Sequence, residues 1–331
     1  MLNDQPFVSA PVTVLDKNAV REFCEAHLLR EGDVLPLIAT ADSGTMSGLA
    51  EAASAHFCPH LQESIASFSD PDIGISGIDI PEIYDDPTKD AITGALVAVS
   101  ISQTLMPSIL DKENRTPFSM FNASPANNAV LNEAGLKNIS PTDILDFHSD
   151  GGIFNSRLSV PKFISIYNIF INYKRRGNFY WIPTSAIDNI DEYFDKIGTE
   201  DNYLFDLTPS VYSDRGSEIR SISANRAETA IFQKVDGRII TFMNGDFLGR
   251  STGGGNNFTI GLLDEFKDVI RRTRPKYAVP QESRRIVILN NAHGFHARDI
   301  FEEPVEGHPY TRSYLRSASL DGYPVGKIIP S

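Results

Sequence analysis

His148 and Asp150 stand two residues apart within Asp146-Phe147-His148-Ser149-Asp150-Gly151-Gly152, at the end of an apolar run and the start of a glycine turn. Side chains at i and i+2 of an extended segment share a face, so an imidazole and a carboxylate at this spacing can both meet one metal ion. A third ligand has to come from far along the chain. The segment from Arg285 to Arg298 offers an apolar run followed by two histidines, His293 and His296, either of which can turn inward. Two imidazoles and one carboxylate with three coordination positions left open are the donor set of non-haem Fe(II) centres, whereas a closed structural zinc site wants a fourth protein ligand.

The elements that must carry these residues follow from periodicity and capping. Asp16 can cap a helix running to about Arg30, with Val20, Phe23, Cys24 and Leu28 on one face and Gly32 as its stop. Leu35 to Ala39 reads as a short strand. A second helix starts near Gly48 and ends or kinks at Pro59, which lacks the amide donor. Asp86-Pro87 opens a long apolar helix to Leu105. From Pro117 onward the texture changes to short β-branched and aromatic runs: Phe118 to Phe121, Ile144 to His148, Lys162 to Tyr173, Phe179 to Ile182, Arg285 to Leu289 and Arg312 to Arg316. Ala230 to Met243 folds back at Asp236-Gly237, a dipeptide suited to a two-residue hairpin turn. Helices are expected over Ile187 to Ile197 and Thr259 to Thr273. Helices first and many strands later favour a sandwich or barrel over alternating βαβ units, so the fold class is α+β.

The chain of 331 residues carries 43 Asp and Glu against 30 Lys and Arg, a formal charge of −13 that argues against nucleic acid and anionic membrane surfaces as partners. Its two cysteines, Cys24 and Cys58, are too few for a disulfide framework, and no apolar run is long enough to span a bilayer, so a cytoplasmic protein is expected. A small-molecule substrate fits this profile; self-association is left open.

With those residues in order, the chain resembles the Fe(II)/2-oxoglutarate-dependent dioxygenases of the taurine dioxygenase and clavaminate synthase-like superfamily. The likeness rests on Leu145 to Gly152, Asn290-Asn291, His296-Ala297-Arg298 and Arg312 to Arg316, and runs from about Phe118 to Ser317. It implies a double-stranded β-helix (jelly-roll) barrel flanked by N-terminal and inserted helices: one elaborated domain over 1–331, with a helical part at 1–116, the barrel at 117–317, an inserted cap at about 185–275 and a tail at 318–331. It also implies that His148, Asp150 and His296 hold Fe(II). His296 is preferred to His293 because only His296 is followed by the x-Arg element. Arg312 would grip the distal carboxylate of 2-oxoglutarate, to which a guanidinium is suited. Arg316, on the same strand face, would support Arg312 or meet a substrate carboxylate.

The activity so implied uses O2 and 2-oxoglutarate to hydroxylate an unactivated C–H bond of a small metabolite, foremost a free amino acid, and a basic one by analogy with relatives. Asp150 points away from halogenation, where a small residue takes the carboxylate position. Two other classes fit the same residues: a non-catalytic jelly-roll binding protein, and a zinc hydrolase built on the same triad. The match departs from the family pattern in two ways. No threonine follows Gly177 where relatives contact the cosubstrate, Thr184 being displaced, and the interval from His296 to Arg312 is long. Asn127 and Asn128 lie where relatives line the substrate pocket, although turn formation also explains them. Gly151 to Ser159 reads as a lid. His56-Phe57-Cys58-Pro59-His60 does not have the spacing of a common zinc motif and reads as a helix end with a buried cysteine. Gly249 to Asn257 lacks the lysine and preceding strand of a phosphate loop and reads as a surface loop.

Overall fold

Local signals set the N-terminal helices. In the computed structural model, which describes residues 7–38, 43–111, 114–133, 143–154, 157–214, 218–251 and 256–329, Asp16 caps the helix Lys17–His27 by accepting from the N–H groups of Asn18 and Ala19. Asp86 does the same for Pro87–Leu105, accepting from Thr88 and Lys89, with Pro87 in the first turn, where its missing donor costs nothing. Between them lie Ser43–Phe57, a 3-10 turn at Cys58–His60 and Gln62–Ser69. The strand expected at Leu35 to Ala39 does not form over the described part of that stretch. The chain instead makes a small hairpin, Leu29–Arg30 with Asp33–Val34, turned at Glu31 and Gly32 with φ of 52° and 90°, and Leu35 is apolar because it packs into the helical core.

Two sheets face one another beside these helices. The larger has the order Val12–Val14, Ile75–Asp79, Arg285–Asn290, Phe163–Ile171, Arg312–Ala318 and Ser119–Ala123. The smaller has the order Val8–Ser9, Tyr277–Pro280, Asn178–Pro183, Gly294–Arg298 and Leu145–His148. Phe179, Trp181 and Val279 of the smaller sheet share one core with Ile75, Ile164, Ile166, Val287 and Leu289 of the larger. Alternate residues leave by the other faces: Tyr167, Ile286, Ile288 and Leu315 pack on the N-terminal helices, and Tyr180, Ile182, Phe295 and Ala297 pack against Phe266 and Ile270 of the helix Asn256–Arg272. Burial on both faces explains the almost unbroken apolar run of Phe163–Ile171.

A third sheet was not anticipated. Its order is Asp246–Arg250, Tyr203–Asp214, Glu218–Thr229, Gly322–Ile329, Arg157–Pro161 and Gly152–Phe154. The segment read as a helical cap therefore holds a long antiparallel strand pair in addition to the helices Ile190–Ile197 and Asn256–Arg272. The segment read as a tail supplies the strand Gly322–Ile329, which pairs on both sides. The Asp236-Gly237 hairpin forms as expected, with φ of 50° and 78° at the turn.

Trp181, the single tryptophan, is wholly buried between the facing sheets and donates from Nε1 to the Asn290 carbonyl at 3.1 Å. Gly74, at φ +59°, lies so close that a Cβ there would come within 2.1 Å of the indole ring. Gly74→Ala should therefore cost about 2 kcal/mol or more through overpacking and backbone strain together. Chemical denaturation checks this; an unchanged midpoint would show that the indole can shift.

Candidate metal centre

Antiparallel pairing assembles the two histidines. His148 closes the strand Leu145–His148 and is the direct register partner of His296 in Gly294–Arg298, which on its other side pairs with Trp181. Directly opposed residues of an antiparallel pair share a face, so both imidazoles point between the sheets, with ring centroids 4.2 Å apart. Asp150 completes the group: His148 Nε2 is 3.3 Å from Asp150 Oδ1 and His296 Nε2 is 3.9 Å from Asp150 Oδ2. One ligand atom from each of the three lies within 4.8 Å of the others, and among the described residues no other trio of His, Cys, Asp or Glu is so placed.

The protonation pattern suits metal ligation. His148 Nδ1 lies 2.7 Å from the Asp146 carbonyl. A carbonyl only accepts, so Nδ1 carries the proton and Nε2 presents its lone pair to the centre. Burial, and then the neighbouring His148, push the His296 imidazole down to about 3, leaving it neutral. Burial opposes ionisation of Asp150, but the Arg316 guanidinium outweighs it and holds the carboxyl well below its ordinary range. Arg316 donates to Asp150 Oδ2 from Nε at 3.2 Å and from Nη2 at 2.6 Å. Asn244, not singled out in the sequence, approaches Asp150 Oδ1 at 3.4 Å through Nδ2.

Arg312 is buried on the same strand as Arg316. Its Nε and Nη2 donate to Asn168 Oδ1 at 3.0 and 2.8 Å, and its guanidinium lies over the rings of Tyr314 and Phe301, 4.1 and 4.9 Å from their centroids. Among the described residues no carboxylate pairs with it. Two arginines elsewhere in the larger sheet's surroundings have carboxylate partners: Arg284 bonds Asp90 Oδ2 at 2.5 Å, and Arg285 grips both Asp79 oxygens at 2.6 and 2.7 Å. Burial, together with the nearby Arg298 charge, draws the Arg312 guanidinium below its ordinary value.

The remaining candidates divide. His293 is outside the cluster; its Nδ1 lies 3.0 Å from Asn290 Oδ1, and its carbonyl accepts from Thr184 at 3.1 Å, so the displaced threonine is held by that turn. Asn127 is buried on the helix Pro125–Glu133, and its amide donates to the Asn122 carbonyl of the strand Ser119–Ala123 at 2.8 Å. Asn128 Oδ1 is buried with no partner among the described residues. The segment read as a lid forms a β-hairpin of Gly152–Phe154 and Arg157–Pro161, with 155–156 outside the described residues. His56 Nε2 lies 2.8 Å from the Ala19 carbonyl, tying two helices; Cys24 is the buried cysteine and Cys58 is only partly covered. Residues 252–255 of the glycine-rich loop also lie outside the described residues.

No protein-family model matches the chain, and no curated protein matches it. Solved structures do. An asparagine oxygenase in complex with Fe(II), 2S,3S-3-hydroxyasparagine and succinate superposes with a TM-score of 0.61 at 13% identity, over 93% of each chain. The non-heme iron oxygenase OrfP, in complex with Fe, succinate and (3R,4R)-dihydroxy-L-Arg, does so with a TM-score of 0.62 at 11% identity, over 94% of each chain. OrfP in complex with Fe and alpha-ketoglutaric acid gives 0.60 at 13%, over 94% of each chain. The chain shares the fold of these oxygenases. At such identities the likeness is one of fold, a mixed arrangement of many strands and flanking helices.

A buried charge without a carboxylate partner should add little to stability, while the group that accepts its hydrogen bonds should add more. Arg312→Met is expected to change unfolding free energy by less than about 1 kcal/mol, and Asn168→Leu, which strips a buried guanidinium of its acceptor, to cost about 1–3 kcal/mol. Urea titration separates the two. A loss above about 3 kcal/mol for Arg312→Met would make that arginine a structural ion instead.

Proposed function

We propose that this protein is an Fe(II)- and 2-oxoglutarate-dependent oxygenase that hydroxylates an unactivated C–H bond of a free amino acid. The observation that carries the proposal is the trio His148, Asp150 and His296, gathered between two sheets with His148 Nδ1 against the Asp146 carbonyl, the His296 imidazole neutral and the carboxyl ionised. The donors fit the metal. Two nitrogens and one carboxylate leave positions open, and metal–ligand bonds of about 2.1 Å call for ligand separations near those found here. His148, Asp150 and His296 would hold the iron. When bound, ferrous iron with 2-oxoglutarate supplies the activation of O2, coupled to decarboxylation of the oxoacid to succinate.

The protein's own residues bind and orient. Arg312, buried without a carboxylate partner, is placed to accept the distal carboxylate of 2-oxoglutarate, where low dielectric strengthens a charge-assisted contact. Arg316 bonds Asp150 and restrains its carboxylate, with its remaining donor capacity available to a substrate carboxylate. Asn128 would supply a buried amide oxygen for a substrate donor, and Asn127 ties the helix that carries both to the strand Ser119–Ala123. A carboxylate at position 150 favours hydroxylation over halogenation. The hydroxylated asparagine and arginine in the neighbouring structures support an amino acid as the substrate class. On this reading the two facing sheets are a jelly-roll barrel, and the chain is a single elaborated domain whose inserted segment contributes the strands Tyr203–Asp214, Glu218–Thr229 and Asp246–Arg250 to the third sheet.

Anaerobic titration of 2-oxoglutarate into Fe(II)-loaded protein should raise an iron-dependent absorption band. His148→Ala should abolish the band, and Arg312→Ala should weaken 2-oxoglutarate binding about 10–100-fold, the worth of paired hydrogen bonds to a charge. With O2, succinate should accumulate together with an amino acid heavier by one oxygen atom. Absence of the band in the unaltered protein, or no succinate across the common amino acids, refutes the assignment.

A further inference from the structure

Asp150 lies outside the ladders that hold its neighbours. The strand Leu145–His148 ends two residues before it and the next begins at Gly152, so neither sheet fixes its main chain. One side chain does so. The Asp150 N–H donates to Asn291 Oδ1 at 2.7 Å, and Asn291 Nδ2 donates back to the Asp150 carbonyl at 3.0 Å. The second amide hydrogen of Asn291 goes to the Pro161 carbonyl at 2.9 Å. Asn291 is fully buried and opens the 3-10 turn Asn291–His293, which carries the chain from Arg285–Asn290 into the strand of His296.

A primary amide presents the same donor and acceptor as a peptide unit, so Asn291 stands in for a missing rung of backbone pairing. Its isosteres do not. A carboxylate loses both donated bonds and adds a buried charge beside Asp150; glutamine moves the amide by a methylene; alanine takes this partner from three main-chain groups, the Asp150 N–H and the Asp150 and Pro161 carbonyls. Strand register alone places His148 and His296, but the third member of the cluster depends on this contact. The same short segment thus delivers one imidazole and aims the carboxylate.

We infer that Asn291 is a positioning residue for the metal centre, setting the Asp150 backbone so that its carboxylate meets the two imidazoles; the inference rests on the metal-binding reading above. Partners that orient metal ligands are worth about 10–100-fold in metal affinity when removed. The test uses the full chain without iron and Co(II) alone as the probe, with affinity measured against a chromophoric chelator and the visible Co(II) bands recorded alongside. Asn291→Ala and Asn291→Gln should each bind Co(II) about 10–100-fold more weakly, with shifted bands because the carboxylate is displaced. His148→Ala should lose binding. Ser67→Ala, which deletes a buried hydrogen bond to the Ile75 carbonyl in the helical layer, should bind as the unaltered chain does.

If the unaltered chain fails to bind Co(II), or His148→Ala binds equally well, the metal reading fails and takes the inference with it. If His148→Ala loses Co(II) while the Asn291 variants bind at full strength, the metal reading stands and the role of Asn291 is overturned. Equal weakening by Ser67→Ala overturns it as well, since loosening of the fold would then suffice. Should Asn291→Ala not fold, Asn291→Gln, which keeps a polar group in the same space, decides.

Discussion

The register between Leu145–His148 and Gly294–Arg298 governs the molecule's chemistry. Side chains alternate with a period of two, so slipping either strand by one residue would carry His148 or His296 out of the space between the sheets and bring Phe147 or Phe295 into it. The register is protected from several directions. Phe147 and Phe295 are committed to the apolar layer under the helix Asn256–Arg272. Trp181, the partner of His296 on the other side, is anchored by its own hydrogen bond and filled in around by glycines. Burial energy far from the metal centre therefore decides which way the imidazoles point, at about 25 cal/mol for each Å² of apolar surface covered.

Charge inside the sandwich is handled in two ways. Arg284 and Arg285 have carboxylate partners across element boundaries; Arg284 also donates to the Ile80 and Pro81 carbonyls and so ties the helical layer to the larger sheet. Such pairs gain little net stability, but breaking one leaves an uncompensated buried ion, so they enforce a unique docking of layers. Arg312 departs from this pattern. Asn168 and two aromatic rings cover it without neutralising it, which is why it is proposed as the partner of an incoming anion.

What the sequence made legible was whatever depended on neighbours a few residues away. Asp16 and Asp86 mark helix starts because a cap is a local hydrogen bond, and Asp236-Gly237 marks a hairpin because two positive φ values are needed in succession. Phe163–Ile171 stood out because burial on both faces leaves almost no polar interruption. The third sheet did not stand out. Glu218–Thr229 is mostly polar, and Pro209 interrupts Tyr203–Asp214 at a point where the pairing register shifts. His148, Asp150 and His296 could be proposed because metal ligands come from a short list of residue types. Asn291 could not be assigned a task in the same way: asparagine is a common turn former, and its partner here is a peptide group 141 residues away.

The short link from Ser149 to Gly151 joins the smaller facing sheet to the third sheet, and Asp150 is at its middle. The two imidazoles thus belong to one sheet, while the carboxylate belongs to the passage into another, a passage held by Ser149 on the Thr241 carbonyl and by Asn291 on the Pro161 carbonyl. A ligand set divided in this way would make the proposed centre a clasp between two sheets. If the trio holds a metal as proposed, ion binding and the docking of the third sheet would draw on the same free energy.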